Sequence, residues 1–116
     1  IDPNNFLYKF FGNNDSLMIQ MAKSIALNHH ERWDGKGYCK GLVGESIPIE
    51  GRITTIADVF DALTTKRPYK EAWPVDDAVK YLQEDAGKAY DPKLIDVFIN
   101  NLPEMIAIKE KYAEQE

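Results

Sequence analysis

Hydrophobic residues in this chain recur at helical spacing and nowhere sustain the alternation of a strand. Met18, Ala22, Ile25 and His29 form one continuous stripe, predicting a helix from Leu17 to about Asn28. Asp15 or Ser16 precedes it with a short side-chain oxygen suited to capping an orphan N–H. A second helix is predicted from about Glu50 to Lys66, stopping before Pro68, where the chain must leave helical geometry. A third begins near Val75-Asp76-Asp77, with carboxylates where the helix dipole favours them, and ends by Gly87. Asp91-Pro92, a cap with proline at the first helical position, opens a fourth through Leu94, Ile95, Val97, Phe98 and Ile99. Pro103 to Glu116 reads as a final amphipathic helix carrying Met105, Ile106, Ile108 and Tyr112. Between the first two helices, Arg32 to Ile49 holds Gly35, Gly37, Gly41, Gly44 and Pro48. Such a stretch makes a poor helix, and loops of this length in compact domains usually have a function. The fold class predicted is all-α.

The second helix is unusual in its polar face. Ile53, Ile56, Val59, Phe60 and Leu63 make an ordinary core stripe, while Thr54, Thr55, Asp58, Ala62 and Thr65 occupy the opposite side. No Lys, Arg, Glu or Gln occurs from Ile53 to Thr65. Small residues opposite a core stripe predict packing on both sides, with Asp58 on a covered face. There a lone carboxylate is costly unless paired or bound to a cation. The alternative is that Thr and Ala face water and Asp58 is solvated. The same face, with the aromatic opening from Phe6 to Phe11, predicts self-association.

At 116 residues the chain suits one domain, and 44% hydrophobic with 28% charged residues is the balance of a folded one. A net charge of −5 argues against a nucleic acid polymer as partner, since phosphate neutralisation needs a basic face. No apolar run approaches the ~20 residues of a membrane span. Cys39, the one cysteine, excludes an internal disulfide and suits a reducing, cytoplasmic setting. The chain opens without Met, so residues 1–14 read as the remnant of a longer protein and 15–116 as part of a single domain.

Two imidazoles at His29-His30, with Glu31 beside them and Asp58 on the next helix, suit Zn, Mn, Fe or Ni. A histidine pair at a helix end can equally cap the last carbonyls. Arg67-Pro68-Tyr69-Lys70 puts two cations around a proline-fixed turn, able to grip a phosphate or simply to face the preceding helix C-terminus.

The order of these pieces is more specific than any one of them. His29-His30-Glu31-Arg32-Trp33-Asp34-Gly35-Lys36-Gly37-Tyr38 resembles the signature of the HD-GYP family of metal-dependent phosphodiesterases. The resemblance continues through Gly41-Leu42, Gly44-Glu45, Ile47-Pro48 and Arg52-Ile53. It runs on through Ile56 to Thr64 and Arg67-Pro68-Tyr69-Lys70, and ends at Asp91-Pro92. It implies an all-helical HD-superfamily fold that hydrolyses cyclic di-GMP. It further implies that His29, His30 and Asp58 bind a di- or trinuclear iron or manganese centre. Arg67 and Lys70 would hold the nucleotide phosphates, and Gly37 and Tyr38 would lie beside the substrate. Cys39 stands where the family has proline, and the family's upstream His-Asp pair, a following lysine and a further histidine are absent. The chain therefore reads as the C-terminal half of the domain, with no complete catalytic set and inactive as it stands. Two other readings stay open: a non-catalytic module binding partners such as GGDEF domains through the glycine loop, and an HD hydrolase acting on another nucleotide.

Overall fold

The computed structural model describes residues 15–113. Five α-helices follow one another: α1 (Asp15–Asn28), α2 (Ile49–Thr64), α3 (Val75–Glu84), α4 (Pro92–Asn100) and α5 (Leu102–Ala113), with a 3₁₀ turn at Gly44–Ser46 before α2. Among the described residues there is no strand beyond isolated bridges at Arg67–Lys70 and Ala86–Tyr90. No helix among them is long and apolar enough to cross a membrane. The all-α expectation and the order of its elements hold. The aromatic opening lies outside the described residues, and the helix begins at Asp15, so Asp15 and Ser16 both fall within its span.

The core lies between α2, α3 and α4. Ile56 and Phe60 on α2 meet Ala78 and Leu82 on α3, with Tyr90 and Ile95 closing the cluster. On α3 the spacing of Ala78 and Leu82 aligns them on one face, while Asp76, Asp77, Lys80, Gln83 and Glu84 stay exposed. Phe98 meets Phe60 edge-on, ring centroids 5.0 Å apart. Asp91 caps α4 as expected, its Oδ1 accepting from the Lys93 amide at 2.9 Å.

Helix α1 packs on α2 rather than into this core. The contact is close because Gly51 has no side chain: a Cβ there would stand 2.8 Å from Asn28 Cβ. Polar groups fasten the pair. The Ser24 hydroxyl donates to Glu50, Asn28 Nδ2 donates to the Ser24 carbonyl at 2.7 Å, and the Thr55 hydroxyl donates to the His29 carbonyl at 2.7 Å.

Three expectations are corrected. The α1 stripe is covered only at its C-terminal end: Ile25 and His29 are half-buried, Met18 and Ala22 exposed. On α2, Ile53 is not a core residue but half exposed, and Asp58 and Ala62 are exposed rather than covered. A face free of long charged side chains shows what a surface can tolerate being buried; it does not supply the partner that buries it. On α5, Met105 and Ile108 are exposed, and it is Lys109 that reaches α2.

Candidate functional site

His29 and His30 sit in the turn that ends α1, where the helix leaves its last carbonyls open. His29 Nδ1 lies 2.8 Å from the Ile25 carbonyl. A carbonyl only accepts, so Nδ1 carries the proton; in the neutral ring the lone pair then lies on Nε2, the tautomer of a metal-ligating imidazole. The capping reading holds for His29 through Nδ1. The ring of His30 lies 3.9 Å from that of His29, centroid to centroid, with Tyr38 stacked beside it at 4.9 Å.

These rings open onto a pocket of about 330 Å³ shared by Asp58, Thr55 and Tyr90. The two histidines and Asp58, remote in sequence, therefore face one space. The Tyr90 phenol is pushed up to about 12, chiefly because burial disfavours the phenolate. In kind, two imidazoles and a carboxylate suit a divalent cation. In number they are part of a shell, since a metal site needs four or more ligands. Among the described residues no three His, Cys, Asp or Glu are arranged to hold an ion. Cys39 is exposed and lines no part of this pocket.

The glycine loop is built against the histidines. Gly37 passes so close to them that a Cβ would stand 2.5 Å from the His30 carbonyl oxygen and 2.5 Å from the Arg32 nitrogen. Only glycine fits that approach. The next residue, Tyr38, donates its amide to the His30 carbonyl at 3.3 Å. Farther along, the loop is tied to the α3–α4 connection, where Asp34 N donates to the Lys88 carbonyl at 2.8 Å. An Arg32 fork on Asp34 holds that carboxyl below its usual range.

Arg67 and Lys70 do not join the histidine pocket. Each amide donates to the other's carbonyl, at 2.9 and 3.2 Å, closing the turn around Pro68. Lys70 Nζ donates to the α2 carbonyl of Leu63 at 3.2 Å and to the Glu71 carbonyl at 3.0 Å. The helix-end reading holds for that side chain. Arg67 lies 3.9 Å from Asp61, which accepts at 2.9 Å from Lys109; that hydrogen bond is the main reason the Asp61 carboxyl lies below its usual range. Lys70 instead borders a separate cavity of about 670 Å³ with Trp73, Lys80 and Tyr81.

One group at this site was not named from sequence, and another was named without its role. Tyr90 reaches the pocket from the α3–α4 turn and carries no motif. Glu31, buried beside the histidines, accepts three backbone amides of the loop. A carboxylate placed just before a glycine-rich run was the available signal.

Comparison with known proteins places this geometry in a family context. The family model described as "HD domain" matches residues 14–94. The cyclic di-GMP phosphodiesterase response regulator RpfG of Xanthomonas campestris is 50% identical over 92 residues, covering 79% of this chain and 24% of that protein. The 3'3'-cGAMP-specific phosphodiesterase 2 of Vibrio cholerae is 48% identical over 92 residues, covering 79% and 18%. A cyclic di-GMP phosphodiesterase of Thermotoga maritima is 40% identical, covering 79% and 25%. Among solved structures, a cyclic GMP-AMP-specific phosphodiesterase of V. cholerae (V-cGAP3) superposes with a TM-score of 0.58 at 25% identity, over 72% of this chain and 21% of that one. The chain spans about a quarter or less of the length of these curated relatives.

Proposed function

Because this chain belongs to the HD-domain family, we propose that it supplies part of the active site of a cytoplasmic metal-dependent phosphodiesterase that hydrolyses cyclic di-GMP. The observation carrying this reading is the common pocket lined by His29 and His30 from the turn after α1 and by Asp58 from α2. They would hold iron or manganese together with ligands from outside the described residues. A bound metal of this kind supplies an acidic water and offsets charge developing on phosphate oxygens.

The remaining roles belong to the chain's own side chains. Lys70 exchanges two neutral carbonyl acceptors for a phosphate oxygen, a charge-assisted and therefore stronger bond. Arg67, exposed and only loosely paired with Asp61, turns its fork to the same group. Tyr38, 62% exposed beside His30, offers an aromatic face to the nucleotide where Gly37 lets the loop come close. Relatives named for cyclic di-GMP and for 3'3'-cGAMP are about equally similar to this chain. Choice between them would rest on contacts to the bases, away from the phosphate grip.

Alone, the 116-residue chain is inactive, because three donors cannot hold a polynuclear centre. A second reading, a non-catalytic module binding partners such as GGDEF-domain proteins, draws on the exposed apolar side chains Tyr38 and Val43 of the loop. Turnover separates the two. A longer protein containing this chain should hydrolyse cyclic di-GMP with manganese or iron, and H29A or D58A should cost about 100-fold or more. Full activity in both variants overturns the enzyme reading. Chelator-sensitive turnover by the 116-residue chain alone overturns the claim that it is incomplete.

A further inference from the structure

We infer that Glu31 is a positioning residue whose buried carboxylate gathers the glycine loop and thereby sets Tyr38 against His30. Glu31 is only 2% exposed, and burying a carboxylate is costly unless its oxygens are satisfied. Three amides satisfy them. Oε1 accepts from Gly41 N at 3.0 Å, and Oε2 accepts from Lys40 N at 3.2 Å and Leu42 N at 3.3 Å. Successive backbone N–H groups converging on one anion form a nest, and here the anion is a side chain of the same chain. The carboxylate therefore closes the neck of an excursion whose far end carries Gly37 and Tyr38.

At that end the path is narrow. Gly37 is pressed against the His30 carbonyl, and Tyr38 donates its amide to it at 3.3 Å. The Tyr38 ring then stacks on His30 with planes inclined by 13°. His29 holds another side of the same imidazole at 3.9 Å. With both neighbours in place the direction of the His30 nitrogens is fixed; releasing the neck frees Tyr38 and leaves that direction unset. A glutamine does not substitute, because its NH₂ would face amide donors where an acceptor is needed.

The significance of this device rests on the reading of His30 as part of the donor set, whereas its test reads geometry on the full chain. In the unaltered chain the amides of Lys40, Gly41 and Leu42 should exchange about tenfold slower than in unstructured peptide, with a ring-to-ring NOE between Tyr38 and His30. In E31Q with unchanged helical circular dichroism, that protection should fall about tenfold and the NOE should vanish, while α3 amides keep theirs. E31D, shorter but still charged, should recover part of both. Exchange at the unstructured rate in the unaltered chain overturns the inference whether or not any variant folds. So does a folded E31Q, or a folded E31D if E31Q does not fold, that keeps both protection and NOE. If the geometry responds as stated while turnover of a longer protein does not, it is the phosphodiesterase reading of His30 that fails.

Discussion

Arg52 and Asp91 form a nearly buried ion pair that joins three parts of the fold. Arg52 on α2 donates through Nη1 to Asp91 Oδ2 at 2.7 Å and through Nε to the Ile47 carbonyl at 2.9 Å. Asp91, 4% exposed, uses its other oxygen to cap α4. One guanidinium thus locks the end of the glycine loop, the start of α2 and the start of α4 into a single frame. Removing one partner leaves the other buried and unpaired. D91A should therefore cost about 3–5 kcal/mol in denaturant unfolding, and D91N less because it keeps an oxygen for the cap. A cost below about 1 kcal/mol for D91A would place the pair among ordinary surface bridges.

Gly37→Ala and Gly51→Ala should fail for different reasons. At Gly51 the new methyl meets Asn28 and pushes α1 from α2, an overpacking cost of about 1–3 kcal/mol in unfolding. At Gly37 it meets the backbone of His30 to Arg32 in a loop outside the core, so global stability should fall less while the Tyr38–His30 contact is lost. Chemical shifts of the His30 ring protons check the second, and an unchanged ring environment in G37A would contradict it.

Tyr90 gives the fold a signature in alkali. Its phenol ionises near 10 in the unfolded chain and about 12 in the folded one, because burial disfavours the phenolate. Its contribution is complete below pH 10, where both states are protonated. It is lost as pH rises from 10 to about 12, where only the unfolded chain ionises. Ultraviolet titration should show one late tyrosine that Y90F removes, and Y90F should flatten the decline of stability across that range.

Apolar side chains left open on α1 and α2, among them Met18, Ile19, Met21, Leu27, Ile49 and Ile53, should drive self-association. Sedimentation at low micromolar concentration should show a dimer or larger, and A62E should weaken it. A monomer throughout would mean that the open face of α2 is ordinary solvent surface.

The elements were legible in the sequence because local rules set them: the Asp91-Pro92 cap, the stop before Pro68 and the carboxylates at Asp76-Asp77 all act within a few residues. His29, His30 and Asp58 were grouped through motif order, and all three line one pocket. Burial was less legible. Ile53 belongs to the apolar stripe and Asp58 to the small-residue side, and the composition of both permits packing, yet exposure depends on a neighbour that composition does not specify. Glu31 was legible beside the histidines but its role was not, because its partners are backbone amides, which no side-chain pattern records.

The central claim is that His29, His30 and Asp58 form one metal-binding locus. Anomalous scattering from crystals of the chain soaked in manganese tests it most directly. Three donors hold a cation weakly, and any manganese bound should appear in the shared pocket, between one of the histidines and Asp58, and be lost in D58A. A strongest peak at Cys39 or elsewhere, with none in that pocket, would contradict it.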